Sequence, residues 1–204
     1  STNISGINLT SQVTGTLPVG NGGTGLTSGT TDQLLKFTGS TTLASSAIST
    51  GKVLQIVQGT STSQFSTSST SFVKCTQISA TITPSASSSK ILIHIMGTVQ
   101  TEQYTRDLFM DICRNIGGGS DTFLSGVNSG FLRKYDGGTT IEIVNGNMNY
   151  LDSPNTSSSI VYTPAIRFGG GNTPGAEFGE SNIKQTITLT EISAWLLYLN
   201  LLLQ

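Results

Sequence analysis

Three glycines, Gly20, Gly22 and Gly25, match the G-x-G-x-x-G pattern that binds dinucleotides. In such sites the glycines follow a buried strand and open a helix, whose N-terminal amides hold the pyrophosphate. Here Pro18 precedes the pattern and would be out of place in a central strand. Residues 26–36 are rich in Thr, Ser and Gly, which are weak helix formers. We therefore predict that these glycines bind no nucleotide, and the sequence predicts no cofactor elsewhere.

Pairs of carboxylates could hydrolyse glycosidic bonds, a reaction that needs two acids roughly 5–10 Å apart. Asp107 and Asp111 share one face of a predicted strand, but four residues of extended chain separate them by about 13 Å. Glu177 and Glu180 lie in a predicted Gly-rich loop, where acids are usually solvated. The sequence thus predicts that the protein is not an enzyme, and polysaccharide degradation is the less favoured alternative.

The single histidine and the two cysteines are the other candidates for chemistry. His94 lies within a predicted strand beside Leu92 and Met96, so we expect a neutral, hydrogen-bonded imidazole in the core. The alternative is a threefold axis that collects three copies of His94 around a metal. Cys75 and Cys113 lack partners at zinc-ligand spacing, and we expect buried free thiols, with a disulfide as the alternative. No metal site is predicted.

The composition favours an all-β protein with little surface charge. Only 10% of the 204 residues are charged and the net charge is −1, whereas about a quarter is usual. Abundant Ser and Thr, with 24 Gly, favour strands and turns over helices. A chain without a basic patch has no electrostatic basis for binding nucleic acid. The longest apolar run, residues 194–203, is too short to span a bilayer, so no membrane insertion is expected.

The composition changes near residue 50 and divides the chain into three parts. Residues 1–50 have few large apolar side chains and cannot form a core alone, so they are either disordered or wrapped around copies of themselves. We predict the second case, an extended stem or joint segment that intertwines in a trimer. Residues 51–192 contain repeated strand patterns separated by Gly, Ser, Pro and Asn, which predict a β-sandwich or jelly-roll-like head. Residues 193–204, which we call the apolar tail, are expected to be buried at an interface between subunits.

Two long strands are predicted over residues 72–83 and 90–99, and the second is apolar on both faces, as a central strand would be. A third, over residues 106–114, alternates Leu108, Met110 and Ile112 with Asp107, Phe109, Asp111 and Cys113. Further strands are predicted at residues 52–58, 122–124, 139–144, 148–151, 160–168 and 183–191.

Residues 15–28 resemble the joint repeat of bacteriophage tail fibres, in which a G-x-L-P-V-x-N-G-G-T-G-x-T core precedes shaft or head domains. Stretches within the head resemble a fibre head domain common in marine phages; they are residues 51–58, 79–85, 89–93, 150–154 and 187–192. The apolar tail departs from that pattern, because such heads usually end just after the Glu-Ile pair.

This resemblance implies a homotrimeric virion fibre that is assembled in the bacterial host cytoplasm and associates with other tail proteins. Its head would bind a glycan or protein on the host surface, and no catalytic motif comes with the family. A fibre attached to the capsid or collar, with a purely structural head, is the alternative.

Receptor contacts are expected in loops, where aromatic rings stack on sugars and amides bond hydroxyl groups. The candidate receptor-binding residues are Gln103, Tyr104, Arg106, Arg133, Tyr135, Asp136, Asn172 and Phe178. The candidate subunit-interface residues are Leu17, Val19, Gly22 and Gly23 in the stem and Trp195, Leu197, Leu199 and Leu201 in the apolar tail.

The stem glycines give a first testable prediction. Because glycine has no side chain, Gly22 and Gly23 would let three chains cross at close range. We expect Gly22→Val or Gly23→Val to disrupt trimer assembly, as measured by sedimentation of the full chain, with no cofactor binding to lose. A wild-type chain that sediments as a monomer at micromolar concentration would contradict the intertwined stem.

Overall fold

The computed structural model describes residues 23–24, 26, 33–40, 42–47, 53–101, 106–136, 143–169 and 175–193. These residues form strands, turns and irregular segments, with no helix among them. All the strand pairs are antiparallel, which confirms the all-β class for the described part of the chain. The chain divides into two compact units, Ser1–Thr50 and Gly51–Gln204.

The first unit contains a hairpin that the sequence analysis did not predict. Strand β1 (Gln33–Phe37) pairs with β2 (Leu43–Ala47), and the amide of Thr38 donates to the carbonyl of Thr42 at 3.0 Å across the turn. All five residues of β1 are exposed. A two-stranded hairpin is marginal by itself, so its apolar side chains need a further partner. The intertwining of residues 1–50 stays a prediction.

The described residues of the second unit form fourteen strands in three sheets. Sheet I has the order β13–β7–β16–β3, and sheet III has the order β12–β8–β15–β4. Sheet II has the order β10–β9–β14–β5, with β11 also paired to β9 and β6 to β14. The strands are β3 (Val53–Ser61), β4 (Phe65–Thr67), β5 (Val73–Lys74), β6 (Ala80–Ile82), β7 (Lys90–Met96), β8 (Thr98–Thr101), β9 (Arg106–Ile116), β10 (Asp121–Phe123), β11 (Leu132–Asp136), β12 (Val144–Asn145), β13 (Met148–Asp152), β14 (Ile160–Phe168), β15 (Ala176–Phe178) and β16 (Gln185–Ile192).

All three sheets contribute to one apolar core. Sheet I supplies Ile91, Ile93, Ile95, Ile187 and Leu189, sheet II supplies Met110, Ile112, Ile160, Tyr162 and Ile166, and sheet III supplies Val99, Ala176 and Phe178. Alternate residues along each of the long strands point to this core, as the period of two predicts. A shared core between antiparallel sheets is consistent with the predicted β-sandwich head.

The predicted strand 90–99 breaks at Gly97, where the chain passes from sheet I to sheet III. A Cβ atom on Gly97 would lie 2.5 Å from the ring of Phe178, so only glycine fits this crossing. The prediction that both faces of this strand are buried is also wrong. One face of β7 is buried, whereas Leu92, His94 and Met96 on the other face are exposed.

The predicted strand 72–83 is divided into β5 and β6, which pair with different parts of β14. Pro164 of β14 lies between these two pairings, and its carbonyl accepts a hydrogen bond from the amide of Cys75 at 2.8 Å. In antiparallel pairs the N–H and C=O of one residue point to the same side. Pro164 therefore has no N–H to donate on the side of β14 where β5 and β6 lie. For this reason the hydrogen-bonded pairing along that side of β14 is interrupted between β5 and β6.

One polar cluster crosses the core between sheets I and II. Asp152, at the end of β13, accepts hydrogen bonds from Nη1 of Arg114 at 2.8 and 2.9 Å and from Oη of Tyr162 at 2.6 Å. Arg114 and Tyr162 lie opposite each other on β9 and β14. Burial, together with the bond to Asp152, raises the pKa of Tyr162 well above its ordinary value, so the phenol stays protonated and donates.

The buried cluster predicts an asymmetry between two aspartates. Asp152→Asn removes the buried negative charge that balances the partly buried guanidinium of Arg114, and we expect a loss of about 3 kcal/mol in the free energy of unfolding, measured by urea denaturation. Asp107→Asn is the matched control, because Asp107 forms an ion pair with Arg133, whose side chain is 56% exposed. The control should lose much less, since water and salt screen such a pair. Equal losses in the two variants would contradict the role of the buried cluster.

Candidate functional site

Two arginines flank one phenylalanine on the outer face of sheet II. Arg133 of β11 and Arg167 of β14 both lie opposite Phe109 of β9. Directly opposed residues in an antiparallel sheet lie on the same face. We call Arg133, Phe109 and Arg167 the arginine row.

Both guanidinium groups lie near the Phe109 ring. The Cζ atom of Arg167 is 3.9 Å from the ring centroid, and the Cζ atom of Arg133 is 5.8 Å from it. Arg133 also lies 5.6 Å from the ring centroid of Tyr135, a side chain that is 63% exposed. A cation over an aromatic face is attracted by the ring quadrupole. These contacts position the arginines without removing Tyr135 from solvent.

The two guanidinium groups of the arginine row have different partners. Nε and Nη2 of Arg133 donate to the two carboxylate oxygens of Asp107 at 2.8 and 3.0 Å, and this pairing raises the pKa of Arg133. Arg167 instead donates from Nε to the carbonyl of Asn128 at 2.6 Å and from Nη1 to the carbonyl of Phe168 at 3.3 Å. Arg167 lies against the rings of Phe109 and Phe72, at 3.9 and 5.6 Å from their centroids, whereas the exposed ring of Tyr135 lies beside the paired Arg133.

The structure brings four of the predicted receptor-binding residues to one end of sheet II. Arg133 and Tyr135 lie in strand β11 rather than in the loop that the sequence predicted. Asp136 and Arg106 are opposite each other at the ends of β11 and β9, although their side chains lie outside the described part of the chain. Gln103, Tyr104 and Asn172 also lie outside the described residues.

Phe109 and Arg167 belong to this site, and neither was predicted from the sequence. Phe109 was assigned to a strand without a role, and Arg167 lies in the predicted strand 160–168. Alternation alone places Arg167 on the face opposite to Ile166 and Phe168, and this was the available signal. The signal does not show that β14 lies beside β9.

The prediction that Phe178 and Glu177 lie in a surface loop is wrong. Both belong to strand β15, and both are buried. Phe178 packs in the core against Gly97, so its ring is not presented to a receptor in this structure. Glu177 accepts hydrogen bonds from the side-chain amides of Gln64, at 2.7 Å, and Gln100.

The prediction that the imidazole of His94 lies in the core is wrong. The prediction that Cys75 and Cys113 are buried free thiols is confirmed. His94 lies on the exposed face of β7. Within the described ranges, no group of three or more His, Cys, Asp or Glu side chains could hold a metal ion. Cys75 and Cys113 are both buried and free. Burial raises the pKa of Cys75 well above its ordinary value and that of Cys113 to about 11, so both are thiols near neutral pH.

The two aspartates considered for hydrolysis have separate partners. Asp107 pairs with Arg133, whereas Asp111 is fully buried. Asp111 accepts hydrogen bonds from the amide of Ile112 at 2.6 Å, from the amide of Ser125 at 3.1 Å and from the Ser125 hydroxyl. These bonds fix the segment around Ser125 over the outer face of sheet II.

Comparisons with known proteins assign no family. No family model matches the chain. No curated protein matches it either.

Among solved structures, the chain is similar to three structures of infectious bursal disease virus. One is the structure of the Gx strain, at 15% identity over 78% of this chain and 36% of that chain, with a TM-score of 0.39. The second is a mutant VP2 protein in derived T=1 particles, at 14% identity over 76% and 40%, with a TM-score of 0.32. The third is a VP2 subviral particle, at 13% identity over 77% and 43%, with a TM-score of 0.30.

The chain thus spans less than half the length of each of these capsid proteins. TM-scores this low do not establish a shared fold, and the description of the fold rests on the strand pairings. Within the described residues there is no helix of the length and hydropathy that crossing a membrane requires.

Glu191 is a buried carboxylate that connects β16 to the turn before β7. It accepts hydrogen bonds from Nε2 of Gln55 at 2.6 Å, from the amide of Ser85 at 2.6 Å and from the Ser85 hydroxyl at 3.2 Å. Burial acts to raise the pKa of Glu191, but hydrogen bonds from Ser89, Gln55 and Ser85 outweigh it, and the pKa is lowered. The ionised form therefore stabilises the folded chain.

This lowered pKa predicts how stability depends on acid. A group whose pKa is lower in the folded chain contributes stability above its unfolded pKa, which is about 4.3 for Glu, and loses it as the pH falls through the folded value. At pH values below about 4.3 we expect the free energy of unfolding to decrease. In Glu191→Gln this decrease should be smaller. Glu180→Gln, which removes an acid outside this cluster, is the control. An unchanged acid profile in Glu191→Gln would contradict the assignment.

Proposed function

We propose that this chain is a structural virion protein, a homotrimeric phage tail fibre whose β-rich head attaches to the host surface. The observation that supports the proposal most is the joint-type run at residues 15–28, followed at residue 51 by an all-β unit. The low charge also favours a protein of which several copies pack together, because like charges would repel. In this proposal the stem and the apolar tail hold the trimer together, and other virion proteins hold the fibre.

We further propose that the end of sheet II that carries Tyr135 and the arginine row contacts the host receptor. The exposed ring of Tyr135 offers a flat apolar face on which a sugar ring can stack. The forked donors of Arg133 and Arg167 suit carboxylate or phosphate groups, which are common on bacterial surface glycans. Arg106 and Asp136 belong to the same end of the sheet by their register.

A fibre with a purely structural head is the second candidate. The ion pair between Arg133 and Asp107 favours it, because a carboxylate of the chain already occupies one of the two arginines. In that case the arginine row serves only to hold β9, β11 and β14 together. Binding to cells separates the two candidates.

The receptor proposal predicts that one exposed ring matters for adhesion. Full-length labelled protein would be tested on a panel of bacterial strains that includes marine isolates. We expect Tyr135→Ala to weaken binding to a responsive strain about tenfold, a loss of about 1.4 kcal/mol. Val127→Ala, a change at another exposed apolar position, should bind as the wild type does.

A second pair of variants tests the forked donors. Arg133→Lys keeps the charge and loses the planar fork, so it should weaken binding almost as much as Arg133→Ala. Binding that survives all these changes would contradict this receptor patch. If no strain binds the wild-type protein while it sediments at the mass of three 21.3 kDa chains, the purely structural head is supported instead.

A further inference from the structure

One row of the outer face of sheet I carries exposed apolar side chains that nothing in the described part of the chain covers. Ile56, Thr190, Leu92 and Leu151 lie side by side across its four strands. Ile56 is 64% exposed, Leu92 is 38% exposed and Leu151 is 40% exposed. Two more exposed apolar side chains, Val53 and Leu54, extend this row at the edge strand β3. These side chains form one apolar patch, and Met96 lies apart from it, beyond the polar row of His94.

This face differs from an ordinary solvent-facing sheet. Antiparallel sheets usually alternate buried apolar residues with polar residues on the water side. The row of Ile56 contains no charged residue. On one side of it lies the polar row of Gln58, Thr188, His94 and Asn149, and on the other side Ile192 pairs with Val53 and Lys90, whose ammonium donates to the Ser153 hydroxyl at 2.7 Å. Exposed apolar patches bind other apolar surfaces, so a partner on the row of Ile56 must be mainly apolar.

The apolar tail has the matching chemistry and starts from the same sheet. Strand β16 ends at Ile192, and residues 194–203 are apolar at every position except Asn200. These ten residues reach about 33 Å when extended. The seven-residue strand β7 is about 23 Å long, so the tail is long enough to cover the patch.

The direction of β16 points the tail away from its own sheet. The rows of Ile56 and Gln58 lie behind the exit at Ile192, because β16 has already crossed them. To cover its own face, the chain would have to reverse directly after Ser193. Tight reversals mostly use Gly, Pro, Asn or Asp, and residues 192–199 contain none of them. An extended tail leads instead to a neighbouring copy.

We propose that residues 194–204 of one subunit pack on the outer face of sheet I of a neighbouring subunit. This inference rests on the homotrimer of the proposed function and names the surfaces that join its heads. It also gives a reason for the exposed Leu92 and Leu151, since both become buried on assembly. An exchanged segment of this kind links subunits without extra charged groups.

Paired cysteines test this contact in the full chain. Ile56→Cys would be combined in turn with Leu197→Cys, Leu199→Cys and Leu201→Cys, oxidised mildly, alkylated and separated on a denaturing gel. We expect disulfide-linked dimers and trimers from at least one combination. Val127→Cys, at an exposed position outside sheet I, replaces Ile56→Cys in the matched control and should give no cross-link.

The other outcomes overturn the proposal and identify the actual partner. A monomer with an internal disulfide would show that the tail covers its own subunit. Cross-linking of Ile56→Cys alone would show that two copies meet face to face. Failure of every tail combination to exceed the Val127→Cys control would remove the tail from this face.

Sedimentation and cell binding of the same proteins separate this inference from the proposed function. A wild-type chain that sediments as a monomer contradicts the homotrimer itself. A trimer without cross-links contradicts only the contact proposed here. A cross-linked trimer that binds no cells supports the contact while arguing against the receptor role.

Discussion

The head depends on one register, that of β14 against β9, which the buried cluster of Asp152, Arg114 and Tyr162 helps to fix. A carboxylate is costly to bury unless donors surround it. Arg114 and Tyr162 reach Asp152 together because they lie opposite each other. A slip of one residue would turn every side chain of β14 to the other face. Such a slip would also separate Arg167 from Phe109, so the buried cluster and the arginine row are two consequences of the same pairing.

The outer faces of sheets I and II differ. Sheet II is covered by its own chain, since Ser125 bonds to Asp111 and the rings of Phe72 and Phe123 stack at 5.4 Å. The described residues bring no such cover to sheet I, where Ile56 and neighbouring apolar side chains remain exposed. Among the described residues, the exposed ring of Tyr135 lies at the end of this covered face. The uncovered face of sheet I is therefore the one suited to a large apolar contact.

The sequence predicts those features that depend on the alternation of neighbouring residues. The all-β class follows from composition, and the bounds of β14 agree with the predicted strand 160–168. The break at Gly97 was not predictable, because its cause is the ring of Phe178, far away in the chain. Strand β15 looks like a loop in the sequence, since its burial comes from other strands. Tyr135 could be found from the sequence because it is an aromatic residue close to Gly137 and Gly138. Arg167 could not, because its place beside Phe109 depends on the pairing of β14 with β9.

Charged residues of this chain find partners within the chain itself. Three ion pairs use charges within single subunits: Lys74 with Asp121, Arg114 with Asp152, and Arg133 with Asp107. Further carboxylates are satisfied by amides and hydroxyls, as at Glu191 and Asp111. Charges satisfied in this way are not available for ion pairs with another chain. In the proposed trimer the contact between the apolar tail and sheet I is apolar, and apolar contacts do not weaken when salt screens charges.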